Sequence, residues 1–305
     1  MKIAFFSETG TNQKYPLDFP NSRTEVAWCL ALDAPMCSLK ILPKEQFDLG
    51  IVIIPKNNPK VDLEYVRKCC DKVAVMQEGP HWYFQDYSIQ QQFHYYNTLI
   101  EADWVYCHNE SDVNYYLGLG CKDVRVMRSL MIPTGLAPRS GKGKGTIVGG
   151  NFVSWYGGFD SYIVAREIGD PINCPSMGRK QEQEDAIEDI TYLPYLTWRE
   201  WIVNLSQYNV GVHLMRTHAA GTFAMNCGFH GIPCIGYKGL DTQEVLHPLT
   251  TIEVGELDKA KDMASRLKDK KFYDLCSETA KKRFQQHYTE KAWKANWRTM
   301  HEQVI

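Results

Sequence analysis

The chain lacks any apolar run near the 18 or so residues that cross a bilayer, so a membrane-spanning helix is excluded. Its ten cysteines contain no C-x-x-C pair, which argues against a zinc ribbon or a disulfide scaffold in 305 residues. They read as reduced, mostly core thiols of a cytoplasmic protein. Neither G-x-G-x-x-G nor G-x-x-x-x-G-K-[ST] occurs, which counts against a dinucleotide dehydrogenase and a P-loop enzyme. No D-x-D motif stands in a suitable loop, so no catalytic metal is expected, and no internal repeat is evident. Residues 1–6 are basic and then apolar, but Ser7-Glu8-Thr9-Gly10 ends the run before a signal-peptide core forms, leaving a first buried strand.

What is present is a globular composition, 44% hydrophobic and 23% charged, in a chain longer than one core comfortably supports, so two domains are expected. The net charge of −2 is unevenly spread. Residues 145–258 carry 6 Lys/Arg against 14 Asp/Glu, and residues 259–298 carry 12 against 5. The stretch 122–144 adds Lys122, Arg125, Arg128, Arg139, Lys142 and Lys144 against Asp123 alone. Two basic segments of this kind could meet a polyanion; solvated helix faces and a linker are the preferred, plainer explanation.

Apolar runs rich in β-branched residues alternate with amphipathic stretches of helical length, the pattern of a mainly parallel sheet wrapped by helices. Strands are expected at 2–7, 38–42, 49–54, 73–77, 104–107 and 124–129, with helices at about 21–32, 61–70, 89–100 and 111–119. That makes one doubly wound domain, 1–131. Residues 132–145, rich in Pro, Gly and Lys, read as a linker. The alternation restarts with strands at 146–149, 172–174, 190–193, 210–215 and 233–237. Helices follow at 158–168, 179–188, 198–208, 219–230, 257–268, 272–286 and 290–303. Two such sheets in tandem bind ligands at the carboxyl ends of their strands, in a cleft the two domains are expected to share.

The richest loop runs from Val212 through His218-Ala219-Ala220-Gly221-Thr222 to Gly236. A strand leads through small residues into a helix start, where free amides and the positive dipole end suit a phosphate, with Gly221 and Thr222 at that point. A glycine-tolerant helix packed on a sheet is the plainer alternative. This segment resembles the donor-binding stretch of GT-B glycosyltransferases of the family 4 type, with Gly221, Gly231, Pro233 and Ile235 on matching positions. The family's two glutamates, eight apart, fall on His218 and Asn226. In the family the first approaches the transferred sugar and the second holds the ribose hydroxyls, so the resemblance implies those neighbourhoods for His218 and Asn226.

Further likenesses extend the resemblance. Residues 147–160 resemble the strand-loop-helix that opens the GT-B donor domain, which implies that Gly150 and Asn151 border the ligand and that Gly157-Gly158 open the helix; a plain turn fits as well. Arg179 and Lys180 follow a strand and could neutralise a diphosphate, or form a surface pair. Tyr195 and Leu196 sit where the family contacts the nucleobase. In the first domain, residues 77–87 place Glu78, His81 and Asp86 among aromatic side chains after a strand and a Gly-Pro turn. These are candidate bases for activating a hydroxyl; a surface aromatic cluster with Asp86 as a helix cap is the alternative. Gly10, after the first strand, matches loosely the glycine turn that GT-B enzymes bring to the donor phosphates, and Glu8 is an alternative base. His213, His230 and His287 read as ordinary core or surface residues. Residues 284–297 resemble the last GT-B helices, so 146–286 are expected as the nucleotide-sugar donor domain and 287–305 as a helix returning to the first.

The implied fold is α/β, with two Rossmann-like doubly wound domains. The implied activity is transfer of a hexose or pentose from a nucleoside diphosphate-sugar, UDP-sugar favoured, to a hydroxyl acceptor, without cofactor or metal and leaning to retention. The length and the 77–87 loop resemble phage-encoded glycosyltransferases, some of which decorate hydroxymethylated pyrimidines. That would make double-stranded DNA the acceptor and a host cytoplasm the setting. An envelope glycan such as lipopolysaccharide is the alternative acceptor. A nucleotide-sugar epimerase and a non-catalytic sugar-binding protein are rivals of other classes.

Overall fold

The computed structural model describes residues 1–302 apart from 56, 57, 78, 80–83, 85, 151, 153, 154, 176–179 and 181. The chain divides into two compact units, one formed by Met1–Ile132, His218–Ala220 and Glu290–Ile305, the other by Pro133–Thr217 and Gly221–Thr289.

The first unit is built on β1 (Ile3–Ser7), β2 (Met36–Ser38), β3 (Phe47–Ile54), β4 (Cys70–Gln77), β5 (Trp104–Cys107) and β6 (Val124–Val126), with α1 (Thr24–Leu32), α2 (Leu63–Arg67), α3 (Ile89–Glu101) and α4 (Val113–Gly118) between them. All six strands pair in parallel in the order β2-β1-β3-β4-β5-β6. The near-continuous apolar run of β3 is that of a strand buried on both faces. Ile51 and Ile53 enter one core with Trp28 and Tyr106, while Val52 and Ile54 enter the other with Val66 and Phe84. Ser88 and Gln91 form a capping box at the start of α3. The second strand is shorter and earlier than the expected 38–42, because Asn12 Oδ1 accepts the Ser38 N–H and the Asn12 amide holds Ile41 O, turning the chain there.

The second unit contains β7 (Thr146–Val148), α5 (Gly158–Ile168), β8 (Ile172–Pro175), β9 (Ile190–Leu193), α6 (Trp198–Leu205), β10 (Val210–His213), α7 (Thr222–His230), β11 (Cys234–Tyr237), α8 (Asp241–Leu246), β12 (Thr251–Ile252), α9 (Leu257–Arg266) and α10 (Lys270–His287). Its sheet is also parallel, in the order β12-β11-β10-β7-β8-β9. Numbered within the unit this is 6-5-4-1-2-3, the strand order of a Rossmann sheet. Val148, Val212 and Ile235 face α5 and α9, whereas Ile147 and Cys234 face α7. Gly211 lets α7 lie close to the sheet: a Cβ there would stand 2.9 Å from Cys227 Sγ. Both α8 and β12 were absent from the sequence expectation, and the helix expected over 179–188 is a 3-10 turn, Glu182–Ala186.

The segment expected as a linker packs within the second unit. Arg139 is buried, donating from Nε to His230 O (3.1 Å), from Nη1 to Tyr208 O (2.6 Å) and from Nη2 to Gly231 O and the Tyr273 hydroxyl (both 2.8 Å).

The last helix, α11 (Glu290–His301), belongs to the first unit. Trp293 and Trp297 stack at 5.5 Å and are buried in the core that holds Trp28 and Tyr106. Arg128 O accepts from Trp293 Nε1 (2.8 Å) and from Trp28 Nε1 (3.0 Å), and the Tyr106 hydroxyl lies 2.6 Å from His301 Nε2.

Candidate functional site

In the second unit the chain winds outward in opposite directions from β7 and β10, which are neighbours in the sheet. The crevice outside the carboxyl ends of such a pair is where an open α/β sheet takes its ligand. Gly149 and Gly150 follow β7, and His213 ends β10. The loops leaving these strands are tied together. Thr217 Oγ1 donates to Trp155 O (3.1 Å), Ser161 Oγ accepts the Leu214 N–H (2.8 Å) and donates to Gly157 O (2.8 Å), and Arg216 pairs with Asp160 at 2.8 Å. Gly157 takes φ +62°, and a Cβ there would fall 2.1 Å from Leu214 O, so no other residue fits.

The start of α7 lies at the same strand ends, since a Cβ on Gly149 would meet both Phe223 Cδ1 and His213 Cγ at 2.7 Å. Gly221 is the N-cap at φ +64°, and its carbonyl accepts from Thr242 Oγ1 at 2.9 Å. No side chain caps the helix, so the N–H groups of Thr222, Phe223 and Ala224 have no intrahelical acceptor and face the crevice end with the positive pole of the dipole. One turn in, Asn226 is 2% exposed, and its Oδ1 has no hydrogen-bond partner among the described residues. Helical side chains lean toward the N-terminus, which puts Asn226 under Thr222, four residues before it. Such a constellation can bind an anion at the amides and a hydroxyl at the carboxamide.

His213 was read from the sequence as an ordinary residue, and the structure adds it to this group. Its ring stands edge-on to Phe223 at 5.2 Å, and Nε2 is buried without a partner among the described residues. Burial lowers its pKa to about 4, which keeps the ring neutral at pH 7. In a strand reading Val-Gly-Val-His only the terminal position carried a signal.

His218 lies in the short segment that groups with the first unit. Its Nδ1 is 2.8 Å from Asp112 Oδ1 and 3.3 Å from Ser111 Oγ. Asp112, 4% exposed, also accepts from Asn109 Nδ2 at 2.9 Å, and the same amide reaches Ala219 O at 3.1 Å. Ser129 Oγ donates to Ala220 O. A buried carboxylate therefore fixes the imidazole's orientation, a partnership 106 residues apart in sequence.

The other expected site residues are placed as follows. Glu78, His81, Asn151 and Arg179 lie outside the described residues. Asp86 is exposed, and Ser88, not Asp86, caps α3. Gly10 is required by packing on β2, since a Cβ would lie 1.9 Å from Cys37 O. Gly150 lies against Tyr156, whose Cβ would be 2.6 Å from an added methyl. Lys180 pairs with Asp185 and stands 4.4 Å over the Tyr192 ring. Tyr195 is 77% exposed, and Leu196 is half-buried before Thr197, the cap of α6. The basic tract of 122–144 is partly internal. Arg125 pairs with Asp123 and lies 4.3 Å over Trp104, Arg139 is buried, and Lys142 sits 4.1 Å over Tyr273. Arg125 and Arg139 are thus engaged within their own units while Lys142 stays exposed, which weakens the polyanion reading.

Among the described residues no cluster of three or more His, Cys, Asp or Glu could hold a metal ion, and no helix is long and apolar enough to cross a membrane.

No protein-family model matches the chain, and no curated protein matches it in sequence. Solved structures do match in fold. S. aureus TarM, as a mutant in complex with fondaparinux, alpha-GlcNAc-glycerol and UDP, superposes with a TM-score of 0.62 at 9% identity over 83% of this chain and 55% of its own. The chain thus spans about half the length of TarM. The lipopolysaccharide outer core galactosyltransferase WaaB gives 0.61 at 12% identity, covering 100% of both chains. Anabaena HepE in complex with UDP gives 0.67 at 9% identity, over 100% of this chain and 99% of that one. Identities this low establish the fold alone, and that fold is the two-sheet α/β architecture of GT-B glycosyltransferases.

Proposed function

We propose that the chain is a glycosyltransferase that takes a sugar from a nucleoside diphosphate donor, a UDP-sugar in the favoured case, and passes it to a hydroxyl acceptor. The observation that carries this reading is the uncapped start of α7 at the junction of β7 and β10, with the unpartnered Asn226 one turn behind it. The amides of Thr222 and Phe223 receive the diphosphate and stabilise its charge as the sugar leaves. Asn226 bonds a ribose hydroxyl. His218, in the place of the family's first glutamate, is oriented by Asp112. One of Glu78, His81 and Asp86 removes the acceptor's proton. The fold shared with structures that hold UDP supports the choice of donor.

Melting curves with UDP-, GDP- and ADP-sugars test the donor. A ligand at a hundred times its Kd stabilises the fold by about 2.7 kcal/mol, so a UDP-sugar is expected to raise the melting point by several degrees. No shift with any nucleotide-sugar contradicts the reading. Glu78→Gln and His81→Ala are expected to lose transfer while donor binding survives; wild-type rates in both variants remove them as the base. For the acceptor, transfer to a lipopolysaccharide core and to DNA containing hydroxymethylated pyrimidines is assayed side by side. A DNA acceptor further requires a salt-dependent mobility shift of duplex DNA. Donor turnover without any acceptor would identify an epimerase instead.

A further inference from the structure

Three buried histidines in the second unit share one environment but not one fate. His230 accepts the Arg139 N–H at Nδ1 (3.1 Å) and bonds Ile202 O through Nε2 (2.8 Å), and His247 bonds Ala224 O through Nε2 (2.9 Å). His213, 7% exposed, leaves Nε2 buried with no partner among the described residues. Of the three, only His213 ends a strand at the point where the winding of the sheet reverses. A buried polar atom left unpaired forfeits the hydrogen bond it had with water, so a fold retains one where something else completes it.

The surroundings say which side the ring serves. Side chains along β10 alternate, with Val210, Val212 and Leu214 in the core against α5 and α9, so Gly211 and His213 face α7. Gly211 is compressed under α7, and Gly149, on the neighbouring strand's continuation, is compressed against the His213 ring itself. The imidazole is therefore fixed beside Phe223, the second residue of α7, whose N–H is one of the uncapped donors.

We propose that His213 is a specificity-determining contact to the donor, bonding through Nε2 to a hydroxyl of the transferred sugar next to the diphosphate. This rests on the donor-binding reading and deepens it. A neutral imidazole offers one N–H and one lone pair, and a hydroxyl satisfies Nε2 in either tautomer, whereas a phosphate oxygen can only accept. The α7 amides already serve the phosphate and Asn226 the ribose, so the donor hydroxyls left for Nε2 are those of the sugar beyond any that His218 takes.

The test is calorimetric titration of UDP and of the UDP-hexose that most stabilises the wild type into wild type, His213→Leu and His213→Gln. The expectation is that H213L binds the UDP-hexose about tenfold more weakly, the equivalent of ~1.4 kcal/mol, and UDP within twofold of wild type, while H213Q recovers most of the loss. Equal weakening of both ligands would move the contact to the nucleotide, and unchanged binding of the UDP-hexose would make the residue purely structural; either overturns the proposal. Should H213L fail to melt cooperatively, His213→Asn, whose amide is too short to reach, replaces it under the same outcomes. A wild type that binds neither ligand contradicts the donor reading itself, and is told apart because in every other case the wild type binds.

Discussion

Replacing Arg139 by methionine separates a structural cation from one that meets a ligand. In the folded second unit its guanidinium satisfies the carbonyls of Tyr208, His230 and Gly231 and the Tyr273 hydroxyl. Gly231 O keeps a second donor in Ser277 Oγ (2.6 Å), and the Tyr273 hydroxyl still donates to Asn209 O (3.0 Å). Among the described residues the carbonyls of Tyr208 and His230 keep no such side-chain donor. Charge-assisted hydrogen bonds contribute about 1.5–3 kcal/mol each, so with methionine filling part of the volume R139M is expected to lose roughly 3–5 kcal/mol. In a unit of this size that lowers the melting point by about 10 °C. R139K should fall between, because an ammonium cannot span the four acceptors of a planar fork. Differential scanning calorimetry on the three proteins gives the answer. A melting point within about 2 °C of wild type for R139M would refute the internal network and return Arg139 to the surface.

Gly221→Ala forces a Cβ at φ +64° to within 2.0 Å of Thr242 Oγ1, so it should cost roughly 1–3 kcal/mol and abolish donor binding by displacing the α7 amides; unchanged UDP affinity would detach the site from that turn. His213, His230 and His247 are each pulled down by burial to about 4, against 6.5 when unfolded. The folded unit then binds fewer protons than the unfolded chain between those values. Stability should be flat above about pH 7 and fall below 6.5 by up to roughly 1.4 kcal/mol per pH unit for each histidine. A melting point constant from pH 7 to 4.5 would contradict this. All ten cysteines are buried thiols outside any disulfide, and burial pushes Cys37 and Cys174 up to about 12, so a thiol reagent should label none in minutes and all ten in denaturant; one fast native thiol would be inconsistent.

The doubly wound pattern was legible because β3 and β10 are apolar runs of strand length and α7 follows β10 through small residues, all local signals. Gly221 was legible for the same reason, since a glycine between a strand and a helix announces its turn. Arg139 was misread, because Pro, Gly and Lys on either side describe a linker while its four acceptors come from residues 69 to 134 positions away. The Asp112 partner of His218 was invisible for the same cause. His213 was passed over because what distinguishes it, an unpaired nitrogen at a strand end, is a property of the packed sheet. The two-residue β12 is too short for any periodicity to register.

A crystal structure with saturating UDP decides whether the donor diphosphate rests on the start of α7, as proposed. Phosphate oxygens are expected within hydrogen-bond reach of the Thr222 and Phe223 amides, and a ribose hydroxyl at Asn226. UDP bound at other strand ends, or an α7 start without nucleotide at saturation, would contradict it.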